Sequence, residues 1–174
     1  TLTMIPVVTV ARTSLGGSVL MATANADAQT ASPAEGRTPA PGKAYEPTYF
    51  TAEEWAFVNA AVARLIPADE QGPGALEAGV PEYIDRQMNT PYASGALWFM
   101  QGPFNADAPA EMGWQSKLVP NQIYRLGIAA TDEHCKKVHG SVFAGLDSAT
   151  RDEVLKQLEA GAPQFESVPA KMFF

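Results

Sequence analysis

Between Phe50 and Met88 two stretches with helical periodicity are separated by a turn so rich in Gly and Pro that no helix can run through it. Thr51 and Glu54 have the spacing of a capping box, in which a hydroxyl and a carboxylate satisfy reciprocal backbone N–H groups at a helix start. Trp55, Val58, Val62 and Leu65 then recur at helical spacing, with Phe50 placed before the cap as a staple. Pro67 and Gly72-Pro73-Gly74 stop this helix, and Pro81 suits the first turn of the next, where its missing N–H would have no partner. The expected unit is a rigid helix-turn-helix. Gly72, Gly74 and Gly79 are expected to supply φ values that other residues resist, and Leu65, Ile66, Leu76, Val80 and Ile84 to clamp the two helices beneath the turn.

Asn89 to Pro120 follows as a long stretch broken by Gly102, Pro103, Pro109 and Gly113, yet it holds Trp98, Phe99, Met100, Phe104 and Trp114. Large aromatics argue against disorder. They either fill the domain's own core or anchor a subunit interface, where Trp, Tyr and Met are enriched. From Pro120 a helical face of Ile123, Leu126, Gly127, Ala130, His134 and Val138 runs to Gly140. Asp147 or Ser148 caps a further helix with Val154, Leu155 and Leu158 inward and Gly161 as its stop. Pro169 opens another. No run shows the alternation of a half-buried strand. The fold class read from these signals is all-α, mostly helical, with long Pro/Gly-rich loops and an extended N-terminal arm.

Leu65-Ile-Pro-Ala-Asp69 after a capped helix, then Gly72-Pro-Gly-Ala75 and Ala78-Gly-Val-Pro81, resembles the small (gamma) subunit, subunit 3, of membrane-bound gluconate 2-dehydrogenase and its flavin-dependent relatives. The likeness continues through Tyr124-Arg-Leu-Gly-Ile128 and Leu146-Asp-Ser148, and so covers most of Tyr49 to Phe174. Three regions are expected. Residues 1–28 form an apolar, signal-like segment with Arg12 as its one charge before Ala26-Asp-Ala28, a pattern of the kind a signal peptidase cuts. The resemblance implies a twin-arginine signal, whose paired arginines would stand upstream of Thr1. Pro6, Arg12 and Gly16-Gly17 make this segment a poor membrane span, so it is expected to be retained and to pack on a partner subunit. Residues 29–48 form an Ala/Pro-rich extended linker, and residues 49–174 the helical small-subunit domain. The resemblance also implies a Gly-rich tail beyond Phe174.

A redox subunit should show how it holds its cofactor. Here there is no Cys-x-x-Cys-His, and Cys135, the single cysteine, cannot bind an iron–sulfur cluster or form an internal disulfide. A thiol packed in a helix is its expected state, with a bond to a partner chain as the other reading. Gly72-Pro-Gly74 has Glu77 where a dinucleotide fingerprint needs Gly, and it follows a helix instead of a strand. His134 and His139 are five apart, which matches no metal pattern. A formal charge of −7 with 12 scattered Lys and Arg disfavours a nucleic-acid partner. The densest acidic cluster is Asp69, Glu70, Glu77, Glu82 and Asp85, where paired carboxylates could do acid/base work or simply complement a helix dipole.

Two functions are consistent with this. The resemblance implies a non-catalytic subunit of a complex on the periplasmic side of the bacterial inner membrane. Its partners would be a large FAD-dependent dehydrogenase subunit and a multihaem cytochrome c, and it would associate with the membrane through the complex. No catalytic, cofactor or metal residue is expected in this chain. FAD and haem c, with an iron–sulfur cluster as a further candidate, would sit in the partners, and Asp69, Gly72, Pro73, Gly74, Trp98, Phe99, Phe104 and Trp114 would form the interface. The alternative is a stand-alone periplasmic hydrolase or lyase using the Asp69–Asp85 carboxylates.

Overall fold

The computed structural model describes residues 45–105 and 107–174. Expectations for residues 1–28, and for the linker up to residue 44, lie outside the described residues. Among the described residues five α-helices carry the fold: α1 (Ala52–Leu65), α2 (Val80–Met88), α3 (Pro120–His139), α4 (Ser148–Ala160) and the short α5 (Ala170–Phe173), with 3₁₀ turns at Ala110–Met112 and Phe143–Gly145. Among the described residues there is no β-strand, only an isolated antiparallel bridge between Asp69 and Gly72. The all-α expectation therefore holds. No helix among these residues is long and apolar enough to cross a membrane.

The helices begin and end where their caps dictate. Thr51 Oγ1 accepts from Glu54 N at 3.2 Å and Glu54 Oε2 from Thr51 N at 2.9 Å, completing the capping box. Asp147 accepts from Thr150 N at 3.0 Å to start α4. Gly140 and Gly161 end α3 and α4 with φ of 75° and 69°, a conformation that side-chain-bearing residues resist.

α1 is the central element, packing against α2, α3, α4 and the Phe143–Gly145 turn. Its buried residues are Phe57, Val58, Ala60, Ala61 and Val62. Trp55 only borders the core and Leu65 is 51% exposed, so the predicted stripe is displaced towards Phe57. The cause is aromatic packing: the Phe57 ring lies 4.6 Å from that of Phe143 and 5.9 Å from that of Phe173. α4 contributes Val154, Leu155 and Leu158, as its periodicity predicts. Arg64 and Asp152 join α1 to α4 through two 2.7 Å contacts, a bidentate pair.

α3 also differs from its predicted face. Ile123 and Gly127 are buried, but they are joined by Ile128, Thr131 and Cys135, whereas Val138 is 60% exposed and Leu126, Ala130 and His134 are half-buried. Gly127 explains the rotation. A Cβ there would lie 2.1 Å from the Phe173 ring, so the missing side chain is the seat on which α5 packs. The buried Thr131 hydroxyl is satisfied by donating to Gly127 O at 2.7 Å. Cys135 is fully buried, and burial, aided by Asp132, pushes its thiol up to about 11. That is the packed thiol, with no surface through which to bond another chain.

Candidate functional site

Of the five carboxylates that might have formed an acid/base centre, three are given separate structural tasks. Asp69 turns back on its own loop, accepting from Gln71 N at 2.8 Å and Gly72 N at 3.2 Å through Oδ1. Glu82 pairs with Arg86 one turn along α2, at 2.8 Å. Glu70 and Glu77 are exposed.

Asp85 is wholly buried. Pro81, Asp85 and Met88 form the inward stripe of α2, so the helix delivers a carboxylate to a position where periodicity calls for an apolar side chain. Its Oδ2 accepts from the Tyr45 hydroxyl at 2.8 Å, Thr48 N at 2.8 Å and the Thr48 hydroxyl at 2.9 Å. Its Oδ1 accepts from Tyr49 N and Phe50 N, each at 3.0 Å. Burial by itself pushes this carboxyl up, but the N–H groups of Phe50 and Thr48, the Tyr45 hydroxyl and the Tyr49 N–H together outweigh it and hold the group at about 2. It is a clasp for the segment that leads into α1, and it has no lone pair left over for a substrate.

The same segment is held from its other side by α3. The Tyr49 hydroxyl donates to Asn121 O at 2.7 Å and accepts from Arg125 Nε at 2.8 Å. Arg125 also donates to Tyr49 O at 2.8 Å and stacks over the Tyr49 ring at 4.3 Å. Tyr45–Thr48, assigned to the linker from sequence, are thus pinned to the helical domain. Sequence reasoning missed both contacts. The available signal was an Asp at i, i+4, i+7 spacing with Pro81 and Met88, on a helix whose other inward residues are apolar.

The turn between α1 and α2 departs from expectation in two ways. Of its glycines only Gly79 has a positive φ, at 75°; Gly72 and Gly74 do not. Gly74 is needed for space, because a Cβ would lie 2.4 Å from Ala68 N and 2.8 Å from both Ile66 O and Pro67 C. Its close approach is to its own turn, so the reason for glycine here is internal to the chain. The proposed clamp also dissolves: Leu65, Ile66 and Leu76 are 51%, 60% and 42% exposed, and only Val80 and Ile84 pack on the core. Ala75 is the buried residue beneath the turn, its N–H donating to Ile66 O at 2.8 Å.

The aromatic stretch does not fill the core. Phe99 is fully exposed, Leu97 74%, Met112 69% and Trp114 38% exposed, while Trp98 and Phe104 are half-buried. The rings of Trp98 and Trp114 meet edge to face at 5.0 Å, and Tyr92 lies 5.4 Å from Trp98. A small aromatic stack thus supports apolar tips that point away from the protein.

Neither histidine builds a metal site. The His134 ring stands edge-on to Phe165 at 6.3 Å, and no group of three His, Cys, Asp or Glu among the described residues could hold an ion. A cleft of about 110 Å³ between α1, α3, α4 and α5 is lined by Phe57, Val62, Leu65, Tyr124, Leu158 and Phe174, with no converging polar groups.

A family model described as gluconate 2-dehydrogenase subunit 3 matches residues 52–174, more than two thirds of the chain. The chain belongs to the gluconate 2-dehydrogenase subunit 3 family. No curated protein and no solved structure matches it. The match opens on the first residue of α1 and takes in all five helices. As a subunit 3 the chain is an accessory component of a multi-subunit dehydrogenase complex. The clasp residues Tyr45–Thr51 stand just ahead of the matched region, although Asp85, which holds them, lies within it.

Proposed function

We propose that this subunit 3 is the non-catalytic small subunit of a membrane-bound flavoprotein dehydrogenase that faces the periplasm. The complex would oxidise gluconate, a related sugar acid or a sugar, passing electrons through a cytochrome c subunit to quinone. The flavin and haem belong to the partner chains on this reading, and this chain escorts the catalytic subunit through export and then remains bound to it. The family match over the whole helical domain carries the proposal. The Leu97–Trp114 stack is the surface offered to the catalytic subunit, because exposed aromatics and Met are what a desolvated interface centre needs.

Affinity purification of the complex tests this. Leu97→Ser with Phe99→Ser should weaken retention of the flavoprotein by about 2 kcal/mol, roughly thirtyfold, as truncating a central anchor does. The melting temperature of the isolated subunit should stay the same, since neither side chain is buried. Unchanged retention removes this surface from the interface. The export half of the proposal is tested separately: deletion of residues 1–28 should leave the catalytic subunit in the cytoplasm, and normal export after that deletion defeats the escort role.

A further inference from the structure

We infer that the knuckle between α1 and α2 is a second docking surface, shaped for an apolar patch ringed by Lys and Arg on another subunit of the complex. This rests on the accessory-subunit reading. Leu65, Ile66 and Leu76 stand exposed beside Asp69, Glu70 and Glu77, all three of which are exposed as well. Among the described residues none of these three carboxylates has a cation within ion-pairing distance. The two nearest arginines in sequence are already committed, Arg64 to Asp152 and Arg86 to Glu82. An apolar centre with a one-signed, unpaired rim is complementary to a basic rim, and like charges on a wrong partner would be repelled.

The knuckle is also pre-formed. Asp69 and Gly72 exchange backbone hydrogen bonds of 3.1 and 3.3 Å, Ala75 N donates to Ile66 O at 2.8 Å, and Gly74 lies against the backbone of residues 66–68. Presenting Ile66 and Leu76 in a fixed arrangement removes much of the ordering entropy that a flexible loop would lose on binding. The Leu97–Trp114 stack differs in kind: it has aromatic tips, and its supporting rings carry no charge.

The test uses the purified complex, with dissociation followed from low to high salt. Glu70→Lys with Glu77→Lys should weaken association on the order of tenfold at low salt, and the difference should shrink as salt screens the rim. Ile66→Ser should weaken it at every salt concentration. All these exposed changes should leave the melting temperature of the isolated subunit unaltered. A complex that forms and responds to salt identically with the charge-reversed chain overturns this surface and leaves the accessory reading standing. Failure of the unaltered chain to hold any dehydrogenase subunit overturns both. Self-association of the isolated chain, abolished by the same variants, overturns the partner assigned here in favour of a second copy.

Discussion

Asp85→Ala is expected to destabilise the helical domain by about 3–5 kcal/mol, the range for removing one partner from a buried charged network. Three backbone N–H groups and two hydroxyls now end on this carboxylate, and alanine would leave all five without that acceptor. For a domain of this size the melting temperature should fall by roughly 10–20 °C. Asp85→Asn separates shape from charge: its carbonyl can serve part of the set, but its NH₂ would face donors, so it should recover only a fraction. A melting temperature within a degree or two of the parent for Asp85→Ala would show that the clasp contributes nothing.

The pH dependence has a definite sign. The folded carboxyl sits at about 2 against an ordinary value of 3.8, so its contribution is complete above that ordinary value and is lost as pH falls towards 2. The shift corresponds to about 2 kcal/mol. Acid titration of stability should therefore be flatter below pH 4 in Asp85→Ala than in the parent.

Gly74→Val should be nearly as damaging, with a loss of at least about 3 kcal/mol, because the added atoms collide with backbone that cannot rotate away. Gly72→Ala, two residues earlier, meets nothing within 4 Å and has no positive φ, so it should stay within about 0.5 kcal/mol. Thermal melts of the isolated subunit decide between them. Retention of the flavoprotein should fall in parallel with the melting temperature for Gly74→Val, since the defect lies in the turn itself. Loss of retention at an unchanged melting temperature would instead place Gly74 in contact with a partner.

Much of this was legible in the residue order because the signals were local. The Thr51/Glu54 box, Asp147, Gly140, Gly161 and Pro169 each act within a turn of their own position, so the helix ends could be placed before any tertiary contact was known. The motif around the Gly72-Pro73-Gly74 turn was enough to point to the subunit 3 family that the matched region bears out. The place of the aromatic stretch was less legible. Trp98, Phe99 and Trp114 could equally have been core, because hydrophobicity says that a side chain seeks an apolar neighbour without saying whose.

What the sequence determined by itself was the all-α class, the order of the helices and the family, since caps, breakers and periodicity are encoded over three or four residues. What only the tertiary structure decided was which face each helix turns inward and what its odd residues are for. Phe173 seated on Gly127 sets the rotation of α3, and Phe143 against Phe57 sets that of α1. Asp85, legible as one of five acids near a helix start, proved to be the buried acceptor for a segment 35 to 40 residues away. Such contacts join positions distant along the chain, and their energies depend on burial and on which donors arrive together, quantities that exist only once the helices have packed.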